Sequence, residues 1–448
     1  MFIVNGTIMI EVNGAAISIL QGGWTMISRF NDARDRFFDM RFGLFIHWGL
    51  YAIPAWHEQI LWRGNVKRND YEKLIHEFNP IEFDPEAWLD LAQEAGMQYL
   101  CFTTKHHDGF CMWDTSHTDY KITHTPYGKD VMAMLAEACQ KRNFPLSLYY
   151  SCPDWHHPNY PNMGRHHEMF GPRPGDEPDI NRYYEYVTKQ LRELLTNYGP
   201  IYQLFWDVNV AEYHDPSLNE LVRSLQPGIL INNRGPDEGD YSTPERHVPE
   251  GGSFRTPTEA CQSIGRESWG YRENEDYYAD KFLMQSIDKI LAMGGNYLLN
   301  VGPMPDGTIT SENANSLRRI GKWYKKIRES FEGTVPASYM GGKDEIESAN
   351  EVKSRVFRDH VLLTRKGNTV YVHAYRDLQS NTVILKPLDV LPKRAILLNN
   401  GQELESSVEL LPWYWQERAY LRIRNLPINE ITDEVLVIKL EFGEDVTE

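Results

Sequence analysis

Cysteine is scarce in this chain, and the five present are scattered. Cys101, Cys111, Cys139, Cys152 and Cys261 are odd in number and form no C-x-x-C pair. That spacing excludes a disulfide framework and a zinc ribbon and fits a reducing compartment, so a cytoplasmic location is expected. Long apolar runs are missing too. No stretch approaches the roughly 20 apolar residues that span a bilayer. Positive charge is in short supply: 46 Lys and Arg stand against 63 Asp and Glu, a formal net charge of −17. A chain this acidic repels phosphate backbones and anionic lipid, so nucleic acid and membrane are not expected partners. Internal repeats and low-complexity tracts are absent. The opening stretch to Met26 lacks a basic region and is broken by Glu11 and two Asn-Gly pairs. It reads as an N-terminal extension, disordered or a short hairpin, and as a poor signal peptide.

Aromatic residues, in contrast, are plentiful: 12 Trp, 25 Tyr and 18 Phe in 448 residues. Such a surplus builds large cores or clefts that stack flat ligands, among them the C–H faces of sugars. Up to about Gly333, short apolar runs alternate with helical patterns. Candidate strands are Phe42–Trp48, Gln98–Thr104, Pro145–Ser151, Ile201–Asp207, Gly228–Asn232 and Asn296–Gly302. Between them, segments such as Pro85–Gly96, Val131–Arg142 and Ile180–Gly199 carry apolar residues at helical spacing. A further helix starts at Ser311 and stops before Gly333. Strand and helix in alternation predict a parallel sheet with crossover helices, closed as a (β/α)8-like barrel over residues 27–333. From 334 to 448, alternation with period two and turn signals such as Asn399-Asn400-Gly401 predict an antiparallel β-sandwich.

Polar and aromatic residues gather where the barrel strands end, which in a barrel is the active-site face. The first strand runs into His47, Trp48, Trp56, His57, Glu58 and Trp62. The second runs into "TTKHHDGFCMW", with Lys105, His106, His107 and Asp108. The third leads to Tyr149, Tyr150, Asp154 and Trp155, the fourth to Trp206 and Asp207, and the fifth to Arg234. A metal site is disfavoured, because adjacent histidines on a regular strand point to opposite faces and no ligand spacing accompanies them. A polar pocket needs only that both rings reach a hydroxylated ligand once the strand bends. Asp207 closes an apolar strand, where an unpartnered carboxylate is costly. It suits a nucleophile or base in glycoside hydrolysis, which needs a second carboxyl group as acid. Glu259, Glu58, Glu245, Glu250 and Glu267 are candidates for that second group.

The segments "MRFGLFIHWGLYAIPA", "TTKHHDGFCMWDT", "FWD", "ESWGY" and "GGNYLLNVGPMPDGTI" together resemble α-L-fucosidases of glycoside hydrolase family 29. The resemblance spans most of residues 37–310. It implies a retaining exo-fucosidase acting on fucosylated glycans through a covalent fucosyl-enzyme intermediate, with no cofactor and no metal. It implies Asp207 as nucleophile, and His47, His106, His107 and Tyr149 as holders of the sugar hydroxyls. Trp48 and the loop Trp56–Trp62 resemble parts of the pocket wall. Glu259 is the first choice for the acid/base, lying ten residues before Trp269, and Glu58 the second. The family's common Glu-Trp pair is Glu58-Gln59 here, and Trp62 is expected to stand in for the missing indole. Trp206 adjoins the nucleophile, and Arg234 is placed to keep it ionised. Retention requires the two carboxyl groups roughly 5–5.5 Å apart. The alternatives are a glycosidase for a fucose-like sugar and a non-catalytic fucose-binding protein. In the sandwich, "LLPWYWQERAY" suggests aromatic surface at a homo-oligomer interface, with Trp413 reaching a sugar cleft.

Overall fold

Seven short runs pair side by side in one parallel sheet. They are β1 (Phe42–Ile46), β2 (Tyr99–Lys105), β3 (Leu146–Ser151), β4 (Gln203–Asp207), β5 (Leu230–Ile231), β6 (Glu259–Ser263) and β7 (Asn296–Val301), in the order β5-β4-β3-β2-β1-β7-β6. The computed structural model describes residues 27–337, 361–385, 391–410 and 420–443, and the backbone of 2–4, 7–12 and 15–19, which form a three-stranded antiparallel sheet. Six of the seven strands follow the runs expected from sequence. The seventh, β6, was not legible, because "EACQS" is short and mixes polar with apolar residues.

The expected eighth strand is replaced by an irregular segment. Residues 241–245 bridge both open edges of the curled sheet: Tyr241 pairs with Asn232 beyond β5, and Ser242 and Glu245 pair with Thr258 and Cys261 at β6. Backbone bonds from Asn233 N to Tyr241 O, from Cys261 N to Pro244 O and from Arg246 N to Cys261 O, each 3.0 Å, complete the seam. No regular ladder forms there, but the ring closes.

Crossover helices cover the outside of the sheet. In α1 (Pro85–Glu94), α2 (Val131–Lys141), α3 (Ile180–Asn197) and α4 (Pro216–Leu225), the N-cap is an Asp: Asp84, Asp130, Asp179 and Asp215. Each accepts from a backbone N–H of the first turn, which fixes where the helix starts. Pro85 and Pro216 add the preset φ of a first helical residue. The helix α5 (Asp280–Ala292) follows, and α6 (Ser311–Ile327) is capped by Thr310, whose side chain accepts from Asn313 N. Trp88, Leu89, Leu91 and Ala92 form the buried face of α1, as their spacing predicts.

Beyond α6 lie two antiparallel sheets. One contains β8 (Val335–Pro336), β9 (Leu362–Lys366), β10 (Thr369–Ala374), β12 (Arg394–Leu397) and β15 (Leu436–Glu441). The other contains β11 (Val383–Leu385), β13 (Glu405–Glu409) and β14 (Tyr420–Arg424). Val370, Val372, Ile438 and Leu440 face Val383, Leu421 and Ile423 in their shared core. The opposite face of the larger sheet packs on the barrel: Trp323 Nε1 donates to Val435 O at 3.0 Å, and His373 Nδ1 lies 2.8 Å from Asp288 Oδ1. Trp413 and its aromatic neighbours lie outside the described residues.

Candidate active site

Period-two alternation decides what faces the barrel axis. On β1, Phe45 and then His47 point inward, while Leu44, Ile46 and Trp48 point out toward the helices. On β4, Phe205 and Asp207 point inward, while Leu204 and Trp206 point out. The inward residues at the carboxyl ends of the strands line a pocket of about 470 Å³, open to solvent at its mouth. His47, Glu58, His106, His107, Tyr149, Asp207 and Arg234 all contribute to its wall. The two adjacent histidines both reach it because the β2–β3 register shifts between Thr103 and Lys105, just before them.

Trp48 and Trp206 are corrections. Trp48 is buried against Phe78, Phe83 and Trp88, with Nε1 on Met304 O at 2.9 Å. Trp206 gives its Nε1 to Asn219 Oδ1 at 3.1 Å. Both are core residues one step out of phase with the pocket. Trp62 stands behind the wall, stacked on His167 with ring centroids 5.2 Å apart.

Asp207 sits in a dense set of donors. Tyr149 donates its hydroxyl to Oδ2 at 2.7 Å, and Arg234 donates Nη1 to Oδ1 at 2.9 Å. His107 Nε2 lies 3.8 Å from Oδ2. Burial pushes the Asp207 carboxyl up, but the Arg234 charge, His107 and the two donated bonds outweigh it and hold the group below the usual carboxylate range. The next residue, Val208, has φ +57°, a left-handed conformation unusual for a β-branched side chain. Asn209 clamps this turn, accepting from Tyr213 N at 3.1 Å and donating to Gly235 O at 3.2 Å.

The same Arg234 nitrogen donates to Glu245 Oε2 at 2.8 Å. Two oxygens bound to one nitrogen at 2.9 and 2.8 Å lie within about 6 Å of each other, a range that contains the roughly 5–5.5 Å separation of retaining glycosidases. Glu245 lines the pocket from the irregular seam, with its side chain 39% exposed. It was one of five glutamates named from sequence, and no regular strand precedes it to mark it out.

Glu259 lies elsewhere. It is the first residue of β6, level with Asn296 at the start of β7, so it sits at the closed end of the barrel. It is fully buried, and Tyr99 Oη and Gln203 Nε2 donate to its Oε2, the latter at 3.0 Å. Burial, only partly offset by these bonds, pushes its carboxyl up to about 7. The spacing to Trp269 singled out this glutamate but did not show that it begins a strand, at the end away from the pocket. Glu58 does line the pocket. Its Oε2 accepts from Ser268 Oγ and Trp269 N, each at 2.9 Å. Burial pushes it up, yet His57, His47 and backbone N–H groups prevail and hold it below the usual range.

The histidine tautomers can be read from their partners. Asn300 Nδ2 donates to Ser263 Oγ and Trp269 O, so its Oδ1 accepts from His47 Nδ1–H at 2.6 Å. Ser151 Oγ gives its hydrogen to Pro153 O, so it accepts from His107 Nδ1–H at 2.6 Å. Both rings therefore present Nε2 as an acceptor. Burial lowers each imidazole to about 4, so both are neutral near pH 7.

The other charged residues of the TTKHHDGFCMW motif are structural. Lys105 is buried, with Nζ 2.9 Å from Asp154 Oδ2 and from Tyr183 Oη. Asp108 accepts from Tyr71 Oη at 2.7 Å and from Phe110 N at 3.2 Å, which fixes the loop. Phe45, Gln59, His167, Phe205 and Trp269 also line the pocket. Phe45 and Phe205 share a face with His47 and Asp207 two residues on, a signal the sequence did carry. His167 comes from a long irregular loop and left none. Among the described residues, no three His, Cys, Asp or Glu side chains are grouped as metal ligands, and no helix is long and apolar enough to cross a membrane.

Comparison with known proteins places this architecture. Residues 15–329 match the alpha-L-fucosidase family profile. The human tissue alpha-L-fucosidase is 28% identical over 337 residues, covering 67% of this chain and 69% of its own length. The structure of alpha-L-fucosidase isoenzyme 1 from Paenibacillus thiaminolyticus is similar with a TM-score of 0.78 and 33% identity, covering 92% of this chain and all of that one. A family 29 fucosidase from Bacteroides thetaiotaomicron, trapped as a covalent intermediate with 2-fluoro-fucosyl fluoride, aligns with a TM-score of 0.73 and 25% identity, covering 93% of this chain and 98% of its own.

Proposed function

The chain belongs to the α-L-fucosidase family, and on that premise we propose which of its residues carry the reaction. The enzyme is a retaining glycoside hydrolase of family 29 that removes terminal α-L-fucosyl residues from fucosylated glycans. Asp207 is the nucleophile. Its carboxylate attacks the anomeric carbon from the face opposite the glycosidic oxygen, forming a β-fucosyl ester as the bond to the leaving group breaks. Glu245 is the acid/base. It gives its proton to the departing oxygen and then takes one from the water that cleaves the ester, so α-L-fucose is released with its configuration retained.

The observation that carries this reading is the single Arg234 nitrogen shared by the two carboxyl groups. It sets their spacing, and it favours the ionised form of the buried partner, Asp207. Glu245, open to solvent at the pocket mouth, has the access to water that the second step needs. Glu58, held ionised by Ser268 and Trp269, accepts a sugar hydroxyl rather than transferring a proton. His47, His106 and His107 bind hydroxyls, while Phe45, Phe205 and Trp269 supply the apolar wall for the 6-methyl and C–H faces. The five free, buried cysteines support work in a reducing compartment.

Azide rescue tests both roles, and the product anomer separates them. On an activated aryl α-L-fucoside, Asp207→Gly loses activity by at least about 10³-fold and azide restores turnover as β-fucosyl azide. Glu245→Ala still forms the ester from an activated substrate, and azide then yields α-fucosyl azide. Wild-type activity in Asp207→Gly, or a β-azide from Glu245→Ala, overturns the assignment.

A further inference from the structure

Between β3 and α3 the chain runs from residue 152 to 179 without a regular element. This loop is braced. Buried Glu168 accepts from Tyr160 Oη, from Met163 N and from both Nε and Nη2 of Arg165. Asp176 pairs with Arg68 at 3.0 Å. The bracing delivers one side chain to the pocket, His167. Its backbone is held at φ +66°, left-handed for a non-glycine residue, and its carbonyl accepts from Trp155 Nε1 at 2.9 Å.

A directed chain of donors ends on this ring. Arg63 Nε donates to Gln59 Oε1 at 2.8 Å, which fixes the orientation of the amide. The Gln59 amide nitrogen then points at His167 Nδ1, 3.3 Å away. An amide NH2 is only a donor, so Nδ1 must accept and the hydrogen of the neutral ring must sit on Nε2. Trp62 stacks behind the ring at an interplanar angle of 25° and holds its plane. Nε2 has no hydrogen-bond partner among the described residues.

His167 therefore differs from its neighbours. His47 and His107 present acceptors, whereas His167 presents a donor. His167 and His107 stand with ring centroids 5.7 Å apart, a gap that one hydroxyl can bridge by donating to one ring and accepting from the other. His107 Nε2 is also 3.8 Å from Asp207, so a hydroxyl it holds is on the carbon next to the anomeric centre. We propose that His167 is a further sugar-binding residue, donating Nε2–H to the C2 hydroxyl that His107 accepts from, and that Gln59 and Arg63 are its positioning residues. Burial lowers the ring to about 4, so this neutral form persists across the neutral pH range. The inference rests on the assignment of the pocket to the fucosyl unit. It also gives Gln59, where the family resemblance leads one to expect Trp, a definite task.

His167→Phe keeps the stack on Trp62 and removes the donor. On an aryl α-L-fucoside, kcat/KM is expected to fall about 10- to 100-fold. On the matched 2-deoxy substrate the loss should vanish, while the 3-deoxy and 4-deoxy substrates should keep it. An unchanged rate on the fucoside, or an equal loss on the 2-deoxy substrate, overturns the proposal. Imidazole ¹⁵N shifts give a second readout: wild type should show His167 protonated at Nε2, and Gln59→Leu should show a mixture of tautomers. A wild-type ring protonated at Nδ1 also overturns it. If Asp207→Gly stays active, the pocket assignment itself fails; if that variant is inactive and His167→Phe is neutral, only this inference falls.

Discussion

Tyr149 donates its hydroxyl to Asp207 Oδ2 at 2.7 Å, from one strand to the end of the next. A donor to a carboxylate stabilises its charged form. Tyr149→Phe removes the donor and leaves the ring in place, so the Asp207 carboxyl moves up. The acidic limb of the kcat/KM profile should therefore shift to higher pH, with a loss of about 10-fold at the optimum. A lower rate with an unmoved limb would assign Tyr149 to substrate binding alone.

The two glutamates part company on substitution. Glu245→Gln should cost about 10²–10⁴-fold in kcat on substrates with poor leaving groups and much less on activated aryl fucosides. Glu259→Gln should leave activity within about 3-fold, since that carboxyl lies at the closed end of the barrel, away from the pocket lining. Loss of the activity of Glu259→Gln in folded protein would restore it as the acid/base.

Glu259 should act on stability instead. Its carboxyl is near 7 in the folded chain against an ordinary value of 4.5, so between those pH values the folded state holds a proton that the unfolded state has released. This group's contribution is fully present below 4.5 and is lost as pH rises through 7. Glu259→Gln mimics the protonated form at every pH. Its melting temperature relative to wild type should thus rise between pH 5 and pH 8, and a gap independent of pH would refute the assignment.

The pocket histidines work in the opposite direction. His47 and His107 are near 4 when folded and 6.5 otherwise, so between these values the unfolded chain binds protons that the folded chain refuses. Acidification from 6.5 toward 4 therefore destabilises the fold. Thermal melts should drop across that window, and His47→Gln should flatten the slope. A slope unchanged by His47→Gln would mean that its ring does not resist protonation.

Val208 links strain to chemistry. Left-handed backbone costs a β-branched residue about 1–2 kcal/mol, which Gly avoids. Val208→Gly should raise the melting temperature and lower kcat, because the turn that aims Asp207 slackens. An unchanged kcat would mean that Asn209 alone fixes the turn.

Much of this site was legible because barrel strands obey simple rules. Apolar runs ending in His47, His106 and Asp207 marked both the strands and the pocket. The failures share a cause: sequence spacing shows that a residue is on a strand, but not which face or end it occupies. Trp48 and Trp206 adjoin pocket residues and so face away from them. Glu259 begins its strand, whereas the chemistry lies where strands finish. His167 and Glu245 come from segments with no periodicity, placed by hydrogen bonds to residues distant in the chain.

The seam at 241–245 ties the ring together through isolated bridges, while Asp207 ends a strand that pairs in regular register with β3. On the proposed assignment, the attacking group thus ends a regular strand and the proton donor sits on an irregular seam. On that assignment, substitutions along the seam are expected to retune which aglycones are released more than the grip on the sugar, so one scaffold could diverge in acceptor preference without relearning its monosaccharide.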